Sequence, residues 1–347
     1  MRYKLMGRSG LRVSELCLGT MTFGDDWGWG APEEECRRIL EVYREAGGNF
    51  VDTAVNYTNG SSEQILGRLL ADYRDEIVLA TKYTVSIRHE DVNACGNHRK
   101  NMMQSLHRSL KQLNTDYIDL YWVHIWDFLT PVEEVMRALD DMVRAGKVLY
   151  VGISDTPAWI VSQANTMADL RGWTPFVGLQ IEYSLAQRTV ERELLPMART
   201  LDLGVTPWGC LGAGTLTGKY NADRTDSGQR KRLSDTGSTP SPRRLQLAEA
   251  VAQVAQECGR PAAQVALNWV RQQPGVIVPI LGARSEAQMR ENLGCLDFDL
   301  SDEQLDDLDE ASSIEMGFPH DFWAREGIQK IVYSGKVDDI DDHHILE

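Results

Sequence analysis

The sequence predicts an α/β fold in which eight parallel strands close into a (β/α)8 barrel, the TIM-barrel architecture. Eight short apolar segments alternate with helical segments at intervals of roughly 30 residues, a pattern typical of parallel strands joined by helical crossovers. No G-x-G-x-x-G motif follows the first strand segment, which disfavours an open dinucleotide-binding sheet. Because the 347 residues exceed the ~250 of such a barrel, we expect one domain, 1–347, with long loops and a C-terminal extension at about 313–347.

Short apolar segments indicate the strands, and apolar residues recurring at helical spacing indicate the helices. The predicted strands are 14–20, 49–53, 76–82, 115–124, 147–154, 176–183, 204–208 and 275–280. The predicted helices are 32–48, one beginning at 61 or 62, 98–113, 131–145, one from 157, 189–201, 243–258, 261–273, one from 286, and 302–312.

Residues at the boundaries support these assignments. Pro32 opens the first helix, which stops at a Gly-Gly pair, as proline and glycine commonly do. We expect Ser61 or Ser62 to cap the second helix. The basic, Ser/Gly-rich segment 222–244 is expected to be a loop within the domain, because helix and strand patterns continue on both sides of it.

Charge and composition exclude several classes of protein. A net charge of −15 argues against a general affinity for nucleic acid or anionic membranes. The chain has no apolar run of ~18 residues and no secretory signal at its start, so we expect neither a membrane span nor export. Its cysteines are far apart and without a C-x-x-C pair, which favours free thiols in a cytoplasmic protein. They are Cys17, Cys36, Cys95, Cys210, Cys258 and Cys295.

Polar side chains end three consecutive predicted strands. These are Asp52, Lys82 and His124, and Tyr57 follows the first of them closely. Taken singly, the carboxylate could be a cap, the lysine could reach solvent and the histidine could be a satisfied core residue. Together they favour a site, since the C-terminal strand ends of a barrel meet at one rim.

These groups suit proton transfer to a carbonyl oxygen. A phenol ordinarily has a pKa near ~10, and a neighbouring Lys82 ammonium would lower the pKa of Tyr57. Asp52 would keep that lysine charged, and a neutral His124 could hydrogen-bond the substrate oxygen. Because none of these groups supplies two electrons, a bound hydride donor is required. His343 and His344 could hold a metal, but an exposed tail is the preferred explanation, and no other cluster has metal-ligand spacing.

The motifs FVDTAVNY, LATKY, LYWVHIWD, VGISD, LQIEYS, TPWGCLGAGTLTGKY and GARS…EN identify a family. The chain resembles the aldo-keto reductase superfamily from residues 7–24 to 282–294. The resemblance implies that Asp52, Tyr57, Lys82 and His124 form a catalytic tetrad with Tyr57 as the proton donor. It also implies an extended NADPH, bound without a Rossmann fold.

The same resemblance implies the residues that bind the cofactor. Ser154, Asp155 and Gln180 would contact the nicotinamide carboxamide and Trp208 would stack on its ring. Position 155 departs from the asparagine of many members, and ionised aspartate can accept but not donate a hydrogen bond there. The full set is Gly19, Thr20, Met21, Asp52, Ser154, Asp155, Gln180, Trp208, Gly209, Cys210, Leu211, Gly212, Gly214, Lys219, Gly282, Arg284, Gln288, Glu291 and Asn292.

Two parts of this set have alternative explanations. Ser285 and Gln288 match an S-x-x-Q capping box, so helix stability alone could account for them. The functional interpretation is that this helix N-terminus and Arg284 receive the adenosine 2′-phosphate, which favours NADP over NAD. The basic segment 222–244 could close over the pyrophosphate or carry idle surface charge.

Aromatic residues are expected at the mouth of the pocket, where they would favour planar or apolar carbonyl substrates. They are Trp27, Trp29, Trp126 and Phe318, although such residues can also be packed loop anchors. Motifs such as GISDTPAW resemble those of bacterial reductases that are themselves similar to aryl-alcohol dehydrogenases.

Other functions stay open at this point. The same residues could oxidise a sugar or an aryl alcohol. The chain also resembles, more distantly, potassium-channel beta subunits, so a regulatory or purely NADPH-binding role is an alternative. We expect a small carbonyl or alcohol as partner, with no nucleic acid, membrane or metal, and a possible homo-oligomer.

Overall fold

The computed structural model describes residues 1–85, 88, 90–218 and 240–341. Lys219, most of the basic segment 222–244 and the pair His343–His344 lie outside these residues. The predictions that concern them therefore stay predictions.

Eight parallel strands form the barrel, as predicted. In the sheet, Ile280–Gly282 pairs with Cys17–Gly19, and the other six strands follow in chain order to Gly204–Trp208. The amide of Val205 donates to Val276 O (2.7 Å), and the amide of Val278 donates to Val205 O (2.8 Å). These bonds join the strand Gly204–Trp208 to the segment just before Ile280 and close the ring. The strands are β1 Tyr3–Leu5, β2 Arg12–Ser14, β3 Cys17–Gly19, β4 Phe50–Asp52, β5 Val78–Tyr83, β6 Ile118–Val123, β7 Val148–Ser154, β8 Phe176–Glu182, β9 Gly204–Trp208 and β10 Ile280–Gly282.

Helices follow the strands and surround the barrel. Their bounds are α1 Glu33–Glu45, α2 Ser61–Leu69, α3 Arg99–Gln112, α4 Val132–Arg144, α5 Ala158–Arg171, α6 Leu194–Thr200, α7 Pro242–Cys258, α8 Ala262–Arg271, α9 Glu286–Leu293, α10 Asp302–Ser312, α11 His320–Trp323 and α12 Glu326–Val332. In the described part of the chain, no helix has both the length and the apolar character needed to cross a membrane.

Two local predictions are wrong. The last strand is Ile280–Gly282, not 275–280. Before it, Ile277 forms an isolated bridge with Val205 and the carbonyl of Pro279 accepts from the Cys17 amide (2.9 Å), so the continuous strand begins only at Ile280. Neither Ser61 nor Ser62 caps α2. Its N-cap is Gly60, with φ of 99°, and the Ser62 amide donates to the hydroxyl of Thr58 (3.0 Å).

An antiparallel hairpin of β1 and β2, which was not expected from the sequence, covers the N-terminal end of the barrel. Behind it, Met6 is fully buried in the barrel interior. Trp122 fills the same interior, since a Cβ on Gly152 or Gly178 would lie 2.4 or 2.8 Å from its ring. The barrel interior is therefore a packed core, and the C-terminal rim is where a ligand is expected to bind.

Candidate active site

The four residues of the proposed tetrad meet at that rim. Asp52 ends β4 and pairs in register with Ala80, two residues before Lys82 in β5. His124 follows the last residue of β6. Tyr57 begins a short 3-10 turn after β4, where Thr58 and Asn59 have φ of 45° and 56°. These left-handed bends turn the loop back over the rim and bring the phenol to the other three groups.

Lys82 and Asp52 form a buried ion pair. Lys82 is fully buried and Asp52 is 2% exposed. The Lys82 ammonium donates to Asp52 Oδ2 and to the carbonyl of Thr53 (2.8 Å). Gln180 Nε2 donates to Asp52 Oδ1 (3.1 Å). Burial alone would lower the pKa of Lys82, but Asp52 and Tyr57 outweigh it and the pKa is raised, so the ammonium stays charged.

The Tyr57 phenol has a raised pKa. Lys82 Nζ lies 4.8 Å from the centroid of the ring and favours the phenolate. Burial is the larger effect, however, and the pKa of Tyr57 lies above its usual value. Lys82 does lower the pKa of Tyr57, as expected, but the expectation omitted the loss of water on burial, and the net shift is upward. Tyr57 is protonated at neutral pH and can serve as an acid.

His124 is neutral at the same pH. Burial, with a smaller contribution from Lys82, lowers the pKa of His124 to about 3. Its ring centroid lies 6.0 Å from that of Tyr57 with the planes at 79°. His124 Nδ1 is buried and has no hydrogen-bond partner among the described residues. The ring and the phenol therefore border the same space above the barrel.

Polar groups on the next three strands extend the rim. Ser154 ends β7, Gln180 lies beside it in β8, and Trp208 ends β9. The buried Ser154 hydroxyl has no partner in the described part of the chain. The indole of Trp208 donates to Asp155 Oδ1 (3.1 Å). Partial burial of the carboxyl group raises the pKa of Asp155 to about 6, although the residue as a whole keeps exposed surface.

The remaining predicted cofactor residues continue this edge. Gly19 ends β3, Met21 follows two residues later, and the Thr20 hydroxyl donates to the carbonyl of Asp52 (2.9 Å). A cleft of about 240 Å³ lies beyond them. The predicted residues that line it are Gly209, Cys210, Leu211, Gly214, Gly282, Arg284, Gln288, Glu291 and Asn292. Gly212, with φ of 55°, lies in the same loop. The cleft reaches the strand ends through Gly209, the residue after Trp208, and no tetrad residue is part of its lining.

The N-terminus of α9 borders the cleft, and two of its first amides, those of Glu286 and Gln288, already have side-chain partners. Ser285 Oγ accepts from the Gln288 amide (3.3 Å), as predicted. The Gln288 side chain accepts from the amide of Arg284 (2.8 Å), so only half of the capping box forms. Glu35 Oε1, from α1, accepts from the Glu286 amide (2.6 Å). An anion bound at this helix end would therefore lie near a carboxylate of the protein itself.

The four aromatic residues assigned to the substrate do not form one wall. Trp27 and Trp29 pack with ring centroids 5.5 Å apart, and Trp29 also lines the 240 Å³ cleft. Trp126 is 6% exposed within the core between barrel and helices. Phe318 is 85% exposed on the extension after α10. Their role in substrate binding stays a prediction.

Sequence reasoning missed three residues that border the site. Glu35 accepts from the first amide of α9, the Thr84 hydroxyl accepts from the His124 amide, and Asn97 donates to the carbonyl of Ile125. No local pattern marks them: Glu35 belongs to an acidic first turn, and the other two lie in a loop without periodicity. Only the tertiary contacts reveal them.

Comparison with known proteins identifies similar chains. The family model described as Aldo/keto reductase family matches residues 15–313. Norsolorinic acid reductase of Aspergillus flavus is 40% identical over 330 residues, covering 92% of this chain and 82% of that protein. An aryl-alcohol dehydrogenase of Pestalotiopsis microspora is 37% identical over 335 residues, covering 92% and 85%. The aryl-alcohol dehydrogenase [NADP(+)] of Phanerodontia chrysosporium is 36% identical over 329 residues, covering 90% and 86%.

Proposed function

The chain belongs to the aldo/keto reductase family, and on that basis we propose that it is an NADP(H)-dependent reductase of aldehydes or ketones with Tyr57 as the proton donor. One observation carries the proposal. The phenol of Tyr57, the ring of His124 and the ammonium of Lys82 converge at the barrel rim above a buried Asp52.

Each group has a protonation state that suits carbonyl reduction. Tyr57 holds its proton because burial raises its pKa, so it can donate to the oxygen that gains charge. The charged Lys82 stabilises the phenolate that remains. The neutral His124, with a pKa of about 3, can hydrogen-bond the carbonyl oxygen and orient it. General acid catalysis needs this combination of reach and proton availability.

The residues present fit a nicotinamide dinucleotide. The unpartnered Ser154 hydroxyl and the Gln180 amide would hold the carboxamide. Trp208 would pack on the ring, and the cleft lined by Gly209–Leu211 and Arg284 would hold the pyrophosphate and adenosine. When bound, the cofactor supplies the hydride that no side chain can. Arg284 and the relative named for NADP(+) support NADP, whereas the carboxylate of Glu35 opposes a strong preference.

The names of the relatives support aromatic substrates. One reduces norsolorinic acid by name, and others are named aryl-alcohol dehydrogenases. Those latter names also favour a second candidate, the NADP-dependent oxidation of an aryl alcohol, which the same side chains could perform in reverse. A regulatory, NADPH-binding role is a further alternative, without a specific contact to favour it. Cytoplasmic location and homo-oligomerisation stay predictions.

The test is cofactor oxidation with NADPH and with NADH over aromatic, aliphatic and sugar aldehydes, and the reverse reaction over the matching alcohols. We expect turnover with NADPH and the highest kcat/KM for aromatic aldehydes. Turnover of alcohols alone would favour the second candidate. Tight NADPH binding without turnover in either direction would refute the enzyme and favour the binding role.

A further inference from the structure

Thr84, the residue after β5, has an unusual backbone conformation. Its φ is 93°, in the half of the Ramachandran map that favours glycine. A β-branched residue there is a genuine outlier, and such strain persists only where surrounding contacts over-determine it. Thr84 lies two residues after Lys82 and is 7% exposed. The strain is therefore located directly beside the tetrad.

Contacts on the carbonyl and on the hydroxyl of Thr84 hold it in this conformation. Its carbonyl accepts from the Gly96 amide (2.9 Å). Its hydroxyl oxygen accepts from Asn97 Nδ2 (3.0 Å) and from the backbone amide of His124 (3.3 Å). The loop after β5 is thus tied to the first residue after β6.

Asn97 is itself fixed. It is fully buried, and its side chain also donates to the carbonyl of Ile125 (2.9 Å). Asn97 and Asp127 exchange two hydrogen bonds: the Asn97 amide donates to Asp127 Oδ2 (2.7 Å), and the Asp127 amide donates to Asn97 Oδ1 (2.6 Å). The Thr84 hydroxyl therefore rests on a rigid support.

His124 depends on this support. Because its Nδ1 has no hydrogen-bond partner among the described residues, no side-chain bond on that nitrogen fixes the plane of the ring. Its backbone amide instead donates to the Thr84 hydroxyl, so this contact helps to fix the position of the backbone from which the imidazole extends. A small displacement of the His124 amide would move the imidazole away from the carbonyl oxygen of a bound substrate.

We propose that Thr84 is a positioning residue for His124, and that its strained backbone is retained because the hydroxyl must reach the amide of residue 124. The proposal rests on the proposed function, in which His124 orients the carbonyl. The competing explanation is that Thr84 only anchors the loop.

Three substitutions separate these explanations. Glycine adopts φ of 93° without strain, so Thr84→Gly keeps the loop conformation and removes the hydroxyl. Thr84→Val keeps the β-branched strain and removes the hydroxyl. Thr84→Ser retains the hydroxyl with less steric strain. Thr115→Val is the matched control, since its hydroxyl accepts from Arg74 Nε (3.1 Å) at the start of β6, the opposite end of the barrel.

The experiment measures kcat, KM, NADPH affinity and thermal unfolding for these four variants, with the ring NMR signals of 15N-histidine-labelled protein. We expect Thr84→Gly and Thr84→Val to lose about tenfold or more in kcat, since a 1 Å misplacement can cost ~10²-fold. NADPH affinity should be unchanged, Thr84→Gly should unfold at a higher temperature than Thr84→Val, and the His124 signals should shift in both. Thr84→Ser and Thr115→Val should keep wild-type kcat.

Wild-type kcat and unshifted His124 signals in a folded Thr84→Gly would overturn the proposal and leave Thr84 a loop anchor. Loss of activity in Thr84→Ser as large as in Thr84→Val would also overturn it. Wild-type protein inactive on every carbonyl would instead refute the proposed function. The NMR comparison would then still decide whether Thr84 positions the ring.

Discussion

The ammonium of Lys82 lies 4.8 Å from the ring centroid of Tyr57, and yet the pKa of Tyr57 is raised. Burial removes more stabilisation from the phenolate than the cation restores. Under the proposed function, Tyr57 would therefore keep its proton at neutral pH and give it up as charge develops on the oxygen of a bound carbonyl substrate.

The first prediction concerns pH. Reduction requires protonated Tyr57, so kcat for reduction should be level through neutrality and fall as pH rises through the raised pKa of Tyr57. Oxidation of an alcohol requires the phenolate, so its kcat should rise over the same alkaline interval. His124, with a pKa of about 3, should impose no loss between about pH 5 and 8. Rate profiles in both directions check this, and a reduction rate that falls through pH 6–7 would contradict the assigned protonation states.

The second prediction concerns the buried ion pair. Lys82→Met should leave Asp52 as an unpaired buried charge and cost about 3–5 kcal/mol in the free energy of unfolding. The double variant Asp52→Asn/Lys82→Met should recover most of that stability, because no charge is left unpaired. Urea unfolding measures both. A double variant as unstable as Lys82→Met would mean that the pair is not the source of the loss.

Activity should not follow that recovery. Both variants should be inactive, since neither retains the cation beside Tyr57. Glu34→Gln, on an exposed face of α1, serves as a control that changes the net charge without touching the site. A stable and active double variant would show that Lys82 serves the fold alone.

The third prediction concerns Glu63, which is fully buried and accepts from the Thr81 hydroxyl (2.6 Å). Burial raises the pKa of Glu63 from 4.5 to about 7. Between these values the folded state binds more protons than the unfolded state, so stability should fall as pH rises through the interval. The free energy of unfolding that this one group removes over the interval is about 3 kcal/mol.

Glu63→Gln should remove that contribution. The variant should gain stability relative to the wild type as pH rises from about 4.5 to 7, with little difference at the acid end. Unfolding free energies at several pH values measure it. Parallel stability curves for wild type and variant would mean that Glu63 titrates normally.

The fourth prediction concerns dinucleotide preference. Arg284→Ala should weaken NADPH by about tenfold and NADH little, since a charge-assisted contact to phosphate contributes on the order of 1.5–3 kcal/mol. Glu35→Gln should do the opposite and strengthen NADPH relative to NADH, because it removes a negative charge at the start of α9. Binding titrations with both cofactors test this. Equal effects on both cofactors would place the 2′-phosphate elsewhere.

The barrel and the convergence of Asp52, Lys82 and His124 at one rim could be predicted from the sequence because both depend on local patterns. Asp52, Lys82 and His124 each end an apolar segment, and the strand ends of a parallel barrel necessarily share a rim. The contact of Glu35 with α9 could not be predicted, since three consecutive glutamates open α1 and only packing decides which of them reaches a helix 251 residues later. The φ of Thr84 likewise depends on partners in a later part of its own loop and on His124, in the loop after β6.

One wrong expectation and one incomplete expectation have the same physical origin. The apolar segment 275–280 matches a strand pattern, but closure of the ring needed only the bridge at Ile277. The expected lowering of the Tyr57 pKa counted a neighbouring charge that sequence spacing suggests. It omitted burial, which depends on how the loop folds over the rim.

The measurement that tests the central claim most directly is single-turnover reduction of an aromatic aldehyde by protein saturated with NADPH, in wild type and Tyr57→Phe. NADPH affinity is measured in parallel by fluorescence. Removing only the phenolic oxygen should leave the affinity nearly unchanged and lower the rate by about 10²–10⁴-fold, the usual contribution of general acid catalysis. A rate close to wild type in Tyr57→Phe would contradict the assignment of Tyr57 as the proton donor.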